Sequence, residues 1–236
     1  MSSLSGRVIM VTGAGKGVGA AICNELAVYG ARLAVVDCDA DNARETARRL
    51  QGIGADAFAI TADPANEDDV VLAMQAVRER HGRLQALINN ASVIAESQGS
   101  WFDLEEWDRV MATNLRGSFL LVKHAVPMLK IQGGHVVNIA YGNTAQNTSA
   151  CAGSWGLLGL THALRAELHR YNVRLTTVLP GAETARQLET GGNALELGCL
   201  LDPVHIAGAV RTVLSQPWHV AVPEITVVPT PEPSLP

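Results

Sequence analysis

Short apolar runs alternate with longer amphipathic segments along almost the whole chain. The short runs are rich in β-branched residues and predict buried strands, whereas the longer segments carry apolar residues at helical spacing and predict helices. The predicted strands span residues 7–12, 32–37, 56–61, 84–90, 135–141, 173–180 and 224–229. The predicted helices span residues 18–30, 40–54, 67–82, 104–129, 147–168 and 203–215. This alternation predicts an α/β fold, in which about seven strands form a doubly wound parallel sheet with helices on both faces.

The chain has 236 residues and no proline- or glycine-rich linker in its interior. We therefore expect one domain over residues 1–229, followed by an extended or disordered tail over residues 230–236. The chain has no apolar run of membrane-spanning length, and its first residues lack the pattern of a signal peptide. These features predict a cytoplasmic protein.

Charge and cysteine content exclude several kinds of site. The net charge is -5 and the basic residues form no run, so we expect no nucleic-acid partner. The four cysteines lack the CxxC spacing of many metal sites, which favours small buried apolar residues over disulfides or metal ligands. No metal site is predicted.

A glycine-rich stretch, TGAGKGVG over residues 12–19, joins the first predicted strand to the first predicted helix. In this context Gly13 permits a tight turn, Gly17 lets the backbone approach a pyrophosphate, and Gly19 lets helix and strand pack closely. The start of the helix offers phosphate free N–H groups and a positive dipole. The candidate cofactor contacts in this stretch are Gly13, Gly15, Lys16, Gly17, Val18 and Gly19.

Asp37 ends the second predicted strand, 18 residues after Gly19. A carboxylate there can accept hydrogen bonds from the adenosine ribose hydroxyls and repels an added 2′-phosphate, which favours NAD over NADP. Lys16 favours NADP instead, because a basic side chain in the turn could contact a phosphate. Because Asp37 lies where the ribose should bind, we give it more weight and expect NAD as the cofactor.

Further motifs follow the glycine-rich stretch in order along the chain. They are VVD (35–37), ITADPANEDDV (60–70), INNAS (88–92), WDRVMATNLRGSFLLVKHAVPML (107–129), GGHVVNIA (133–140), SWGLLGLTHALRAEL (154–168) and VRLTTVLPG (173–181). Together these motifs resemble, over nearly the whole chain, those of the short-chain dehydrogenase/reductase family. The resemblance implies a Rossmann-type fold, with the acid Asp63 against the adenine. It also implies cofactor contacts at Asn90, Ala91, Pro180 and Gly181.

The family's reaction uses a tyrosine for proton transfer, a lysine four residues later, a serine and an asparagine. Asn114 in MATNL matches the asparagine, which anchors a water relay in the family. Aligning SWGLLGLT with the lysine-bearing helix places Ala150 at the tyrosine and Ser154 at the lysine. Tyr141 falls near the serine position. A short substrate lid is expected over residues 186–200.

Tyr141 is the one tyrosine whose predicted position could reach a substrate. An unassisted phenol has a pKa of about 10 and holds its proton at neutral pH. No lysine of the sequence is placed to lower that value, and loss of acid–base assistance costs roughly a hundred- to ten-thousand-fold in rate. His135 and His162 are the nearby imidazoles, and a surface or interface role is favoured for His162.

Three hypotheses follow from the missing tyrosine and lysine. The favoured one is a non-catalytic subunit that supports an active paralogue in a hetero-oligomeric, NAD-dependent hydroxyacyl or alcohol dehydrogenase. Its expected contacts are helices 104–129 and 150–170, through which the family assembles into dimers or tetramers. The alternatives are a self-sufficient NAD-dependent oxidoreductase that uses Tyr141 as its acid, and an NAD-binding sensor or non-redox enzyme.

Overall fold

The computed structural model describes residues 4–93, 103–141, 148–181 and 201–229. The strands are β1 (Val8–Thr12), β2 (Arg32–Asp37), β3 (Ala57–Thr61), β4 (Ala86–Asn89), β5 (Gly134–Ile139), β6 (Val173–Pro180) and β7 (Glu224–Val227). The helices are α1 (Gly17–Val28), α2 (Ala40–Gly52), α3 (Glu67–His81), α4 (Leu104–Val110), α5 (Ser118–Leu129), α6 (Thr148–Leu168) and α7 (Pro203–Leu214). A π-helical segment (Met111–Gly117) joins α4 to α5, and a 3-10 turn (His169–Tyr171) follows α6.

The seven strands form one parallel sheet in the order β3-β2-β1-β4-β5-β6-β7. The chain moves outward from β1 through β2 to β3 and then crosses back to β4 on the other side of β1. The predicted doubly wound parallel sheet is therefore confirmed. A crevice is expected outside the carboxyl ends of β1 and β4, where the winding direction reverses.

Two hydrophobic layers cover the faces of the sheet. Helices α1, α2 and α7 supply one layer, which includes Ile22, Leu50 and Val210. Helices α3 and α5 supply most of the other, which includes Val77 and Leu121. The central strands β1, β2, β4, β5 and β6 are mostly buried, whereas the edge strands β3 and β7 are only partly buried. This burial explains why the central strands read as continuous apolar runs rather than as alternating ones.

The long helix expected over residues 104–129 is interrupted by a π-helical segment over residues 111–117. In that segment Asn114 bonds both backbone polar groups of Val93 with its side-chain amide, with N···O distances of 2.8 and 2.9 Å. Gly117, at the end of the segment, packs on Pro64, since a Cβ there would lie 3.0 Å from the Pro64 carbonyl oxygen. Apolar spacing predicts a helix here but carries no signal for the wider turn.

The predicted tail over residues 230–236 and the predicted lid over residues 186–200 lie outside the described residues. Within the described ranges, no helix combines the length and apolarity that a membrane crossing requires. No group of histidine, cysteine, aspartate or glutamate in those ranges is arranged to hold a metal ion.

Candidate functional site

A cleft of about 450 Å³ opens at the carboxyl ends of β1, β2 and β4, where the winding direction of the sheet reverses. Nine of the residues predicted from sequence line it: Gly13, Lys16, Gly17, Val18, Asp37, Asp63, Asn90, Ala91 and Tyr141. The other lining residues are Thr12, Cys38, Ala62, Pro64, Ser92, Val93, Arg109 and Thr113. The structure thus brings the glycine-rich stretch, the end of β2 and the end of β4 together around one cavity.

The glycine-rich stretch makes the tight turn that its sequence predicts. Gly13 has a φ of 60°, and a Cβ there would approach the Cα of Ala91 to 2.8 Å. At Gly19 a Cβ would overlap the Gly13 carbonyl oxygen, so α1 can reach the turn only with glycine at that position. Lys16 precedes α1 without a side-chain cap, which leaves the first N–H groups of the helix available to an anion. Gly15 and Gly19 support this turn from outside the cavity lining.

The Asp37 carboxylate is fixed at the end of β2 by two backbone N–H groups. Its Oδ2 accepts from the Gly15 N–H at 2.8 Å, and its Oδ1 accepts from the Asp39 N–H at 3.0 Å.

Cys38, next to Asp37, is exposed, contrary to the expectation of a buried apolar role, because the strand ends at Asp37. The pKa of its thiol is raised by partial burial and by the negative charge of Asp37. The same expectation is confirmed for Cys23, which is fully buried in the core.

Asp63 lies exposed in the loop that follows β3, next to the end of β2, where the Ala62 N–H donates to the Asp37 backbone oxygen at 3.0 Å. Its Oδ1 accepts from the Ala65 N–H at 2.8 Å, and its own N–H donates to Asp69. These bonds hold the loop beside the cavity and leave lone pairs of the carboxylate free to accept from a ligand.

Asn90 locks the end of β4 to the glycine-rich turn. Its Nδ2 donates to the backbone oxygens of Thr12 and Gly13, both at 3.0 Å. In return, the Thr12 hydroxyl accepts from the N–H groups of Asn90 and Ala91. This reciprocal pairing fixes the floor of the cleft.

Tyr141 follows β5 and is half-buried, with its hydroxyl donating to the Asn90 Oδ1 at 2.7 Å. The ring packs against the core layer formed by α1, α2 and α7. Tyr141 therefore borders the cleft, and its proton is directed at the amide that secures the cleft floor.

Asn114 does not line the cavity and lies behind it, in the π-helical segment. Both polar atoms of its side chain are paired with the Val93 backbone, as described above. Because Val93 lines the cavity, Asn114 shapes the cleft through that backbone.

Ala150 and Ser154 lie one turn apart on α6 and therefore on one face of the helix. Ser154 is 3 % exposed, and its hydroxyl has no hydrogen-bond partner among the residues that the structure describes. At the neighbouring Gly153, a Cβ would lie 3.7 Å from the Asn114 Cβ, which places this face against the π-helical segment. A small, neutral pair thus stands next to Asn114, where the family resemblance calls for tyrosine and lysine.

Pro180 ends β6, and the N–H of Gly181 donates to the Val227 oxygen at 2.7 Å. Both residues lie at the carboxyl edge of the sheet but outside the cavity lining. Residues 182–200, which follow them, are outside the described part of the chain.

A buried amide network, which sequence reasoning missed, anchors α6 to the sheet. Asn89 donates to the Asn138 Oδ1 at 2.8 Å, and Asn138 donates to the Thr161 hydroxyl at 2.7 Å. The Thr161 hydroxyl donates in turn to the Leu157 oxygen. Polar residues inside two apolar strands were the available signal, since buried amides need partners.

Arg109 and Thr113 also line the cleft and were not predicted. They are four residues apart at the junction of α4 with the π-helical segment, a spacing that places two helical side chains on one side. His135 lies instead at the opposite, amino edge of the sheet, and His162 is exposed on α6. Neither imidazole lines the cleft.

Comparison with known proteins assigns the family. The family model described as short chain dehydrogenase matches residues 7–190. An uncharacterized oxidoreductase of Staphylococcus saprophyticus is 31% identical over 97% of this chain and 100% of its own length. The D-threitol dehydrogenase of Mycolicibacterium smegmatis is 35% identical over 75% of this chain and 70% of its own.

Two solved structures share the fold. A metagenomic short-chain oxidoreductase in complex with NADP superimposes with a TM-score of 0.84 at 30% identity, covering 97% of this chain and 99% of that one. An alcohol dehydrogenase from the archaeon Thermococcus sibiricus, complexed with 5-hydroxy-NADP, gives a TM-score of 0.84 at 25% identity, covering 94% and 96%. Together with the glycine-rich turn and the doubly wound sheet, these matches show that the chain belongs to the short-chain dehydrogenase/reductase family of oxidoreductases.

Proposed function

We propose that this chain is a dinucleotide-binding subunit without a complete proton-transfer site, and that it supports an active paralogue in a hetero-oligomeric NAD-dependent dehydrogenase. The observation that carries the proposal is the pair Ala150 and Ser154 on α6. Neither side chain can act as a general acid with a cationic neighbour, because alanine does not ionise and a serine hydroxyl is a poor acid at neutral pH.

The cleft fits a dinucleotide. The uncapped start of α1 suits a pyrophosphate, and the carboxylate of Asp37 borders the cavity where it can accept from a ribose. The two structural neighbours were solved with NADP or a derivative of it. In this chain the charge of Asp37 opposes a 2′-phosphate, and we therefore propose NAD, although Lys16 on the rim favours phosphate.

A bound nicotinamide cofactor supplies or accepts the hydride, and the chain itself must handle the proton. The cations that line the described cleft are Lys16 and Arg109. Lys16 belongs to the phosphate-facing turn. Ser154, at the lysine position, is a neutral hydroxyl buried against the π-helical segment. The cofactor is thus held by the glycine-rich turn and Asp37, with little support from α6.

A self-sufficient oxidoreductase that uses Tyr141 is the second candidate. The observation that favours it is that Tyr141 borders the cleft. Against it stands the hydrogen bond from the phenol to Asn90, whose amide also secures the turn, since proton release would break this contact. An NAD-binding sensor or non-redox enzyme is the third possibility, and binding without turnover and without a partner would favour it.

The partner surface that we propose lies on α4, α5 and α6. Three large apolar side chains on these helices are exposed: Leu104 by 73%, Phe119 by 43% and Trp155 by 62%. Exposed apolar side chains on neighbouring helices are typical of subunit contacts. A second member of the family with its tyrosine and lysine in place is the occupant that fits the proposal.

The experiment compares the purified chain, alone and co-expressed with an active paralogue, for oxidation of hydroxy substrates in the presence of NAD. We expect no turnover by the chain alone and co-purification with the paralogue. The double variant Ala150→Tyr with Ser154→Lys should gain activity, whereas Ala166→Tyr with Arg170→Lys, at the same sequence spacing but spanning the end of α6 and the 3-10 turn, should not.

Efficient turnover by the chain alone that is lost in Tyr141→Phe would establish the second candidate instead. Tight NAD binding without turnover, with no paralogue recovered and no gain in the double variant, would establish the third. Calorimetry with NAD and ADP-ribose tests the weak support from α6, because NAD should bind no more tightly than ADP-ribose.

A further inference from the structure

A second cavity, of about 270 Å³, lies at the amino edge of the sheet, opposite the dinucleotide cleft. One row of paired residues forms its floor, with Ile9 of β1, Ala86 of β4, His135 of β5 and Arg174 of β6 side by side. Residues paired across adjacent strands point to the same face, so these four side chains face the layer that holds α7. Arg7, Gln85 and Trp218 are among the residues that surround them.

Two arginines give this cavity a positive charge. Arg7 donates through Nη1 to the Leu214 oxygen at 3.0 Å, and Arg174 donates through Nη1 to three backbone oxygens, the shortest being that of Val220 at 2.8 Å. A guanidinium carries five N–H donors, so each arginine keeps donors that bind no described protein group. No aspartate or glutamate belongs to the lining of this cavity in the described part of the chain.

The bonds around His135 define its tautomer. The Thr176 hydroxyl donates its proton to the Val222 oxygen at 2.6 Å, so it can only accept from the His135 Nε2, 2.8 Å away. Nε2 therefore carries the proton, and Nδ1 of the neutral ring is an acceptor. His135 is 2 % exposed, and its Nδ1 has no donor among the described residues. Burial and the charges of Arg174 and Arg7 lower the pKa of His135 to about 3, which keeps the ring neutral.

We propose that this amino-edge cavity binds a small oxyanion that retains a proton, with the two arginines taking its oxygens and the His135 Nδ1 accepting its remaining O–H. Guanidinium groups pair well with carboxylate and phosphate oxygens. An unprotonated imidazole nitrogen needs a donor, which a bare anion cannot supply. The required ligand is therefore a monoprotonated phosphate or a carboxylate with an adjacent hydroxyl.

Inorganic phosphate is the probe, because it keeps a proton at pH 7, and sulfate is the matched control, because it has none. Glycolate, a 2-hydroxycarboxylate, and acetate form a second matched pair that distinguishes a carboxylate source from a phosphate source. Binding is measured by calorimetry on the full chain, with 15N-labelled histidine to follow His135. ADP-ribose is present at saturation, so that the phosphate-facing turn of the other cleft is blocked.

We expect phosphate to bind at least about tenfold more tightly than sulfate and to shift the His135 Nδ1 resonance. Arg7→Gln and Arg174→Gln should each weaken phosphate binding by about tenfold or more, since a hydrogen bond to a charged group is lost. Arg83→Gln is the control, because Arg83 donates to the Gly6 oxygen at 3.2 Å and lies outside this cavity. The Arg83→Gln variant should bind phosphate as tightly as the unsubstituted chain.

An unshifted His135 resonance at saturating phosphate and glycolate would overturn the proposal. Equal affinity for phosphate and sulfate would also overturn it, because the neutral Nδ1 would then have no role. Since the resonance is read on the unsubstituted protein, the result stands even where an arginine variant fails to fold. The readouts do not depend on turnover, so this test and that of the subunit role can fail separately.

Discussion

At the residue scale, Asp37 combines a structural and a selective role. Its two carboxylate oxygens hold the backbone of Gly15 and Asp39, and the same group borders the cleft. Asparagine at this position retains one oxygen acceptor and removes the charge. The charge can therefore be tested with limited damage to the turn.

We predict that Asp37→Asn raises the affinity for NADP relative to NAD by about tenfold, corresponding to about 1.4 kcal/mol. The physical reason is the loss of repulsion between the carboxylate and the 2′-phosphate. Titration calorimetry with both cofactors measures the ratio. Asp41→Asn, which removes an exposed charge from the first turn of α2, should leave it unchanged. An unchanged ratio in Asp37→Asn would contradict the assignment.

The sequence predicts residues well where a motif has a fixed place on the fold. The cleft-lining glycines follow from the first strand–turn–helix unit, because the tight turn requires a positive φ there. Asp37 follows from the next strand, because the end of that strand places a carboxylate at the edge of the cleft. His135 and Arg174 could not be paired in advance. They are register partners because β5 and β6 are neighbours in the sheet, and local sequence patterns do not encode that order.

At the scale of elements, the position of α6 depends on the buried network of Asn89, Asn138 and Thr161. Asn138 is fully buried and bonds to both of the others. The helix that carries Ala150 and Ser154 is thus fixed to β5 by side chains as well as by apolar packing.

Replacing Asn138 with alanine should lower the free energy of unfolding by about 2–4 kcal/mol, because buried donors lose their acceptors. Thr161→Val should cost about 1–2 kcal/mol, since one acceptor is removed. Thr212→Val is the matched control, because Thr212 makes the same bond to the residue four positions earlier, on the exposed side of α7. Urea denaturation measures all three. Equal decreases in the free energy of unfolding for Thr161→Val and Thr212→Val would show that the network does not contribute to stability.

The sequence predicts whether a segment is a helix or a strand better than it predicts where the segment begins and ends or how regular its winding is. The strand predicted over residues 84–90 is Ala86–Asn89, and the helix predicted over residues 147–168 begins at Thr148. The π-helical segment was not predictable, because its apolar positions also fit a regular helix. Its geometry accompanies the pairing of Asn114 with Val93, a contact between residues that are distant in sequence.

At the scale of the whole molecule, burial of the neutral His135 couples stability to pH. The folded pKa is about 3, and an unfolded histidine titrates near ~6.5. Because the folded value is the lower one, the unfolded chain gains the proton first on acidification. The contribution of His135 is therefore complete above about pH 6.5 and is lost as the pH falls towards 3.

We predict that this residue accounts for about 2 kcal/mol of the stability lost between pH 7 and pH 5. Urea denaturation at both values, compared between the unsubstituted chain and His135→Asn, isolates the effect, because other groups titrate alike in both. His162→Asn, which changes an exposed histidine, should lose as much stability between pH 7 and pH 5 as the unsubstituted chain. The same pH dependence in His135→Asn would refute the prediction.

The assembly proposed above is a property of the whole molecule. On that proposal, we predict that Trp155→Arg and Phe119→Arg each prevent assembly and leave monomers. A charge placed on a buried contact costs several kcal/mol unless it finds a partner. Light scattering during size-exclusion chromatography measures the mass. Ile53→Arg is the control, because Ile53 is 63% exposed at the end of α2, away from these helices. Unchanged assembly in both variants would exclude this surface.

The π-helical turn between α4 and α5 has a consequence for the ways in which this chain can change. A wider turn holds one residue more than a regular helix along the same path. Deleting one residue from the segment would restore regular winding and leave α4 and α5 in phase with each other. Val110 would then remain in the interior, where it is fully buried, but the wide turn that carries Asn114 to the Val93 backbone would be lost. The stretch can therefore lose one residue without misaligning the helices on either side, and the loss would fall on the backbone behind the cleft.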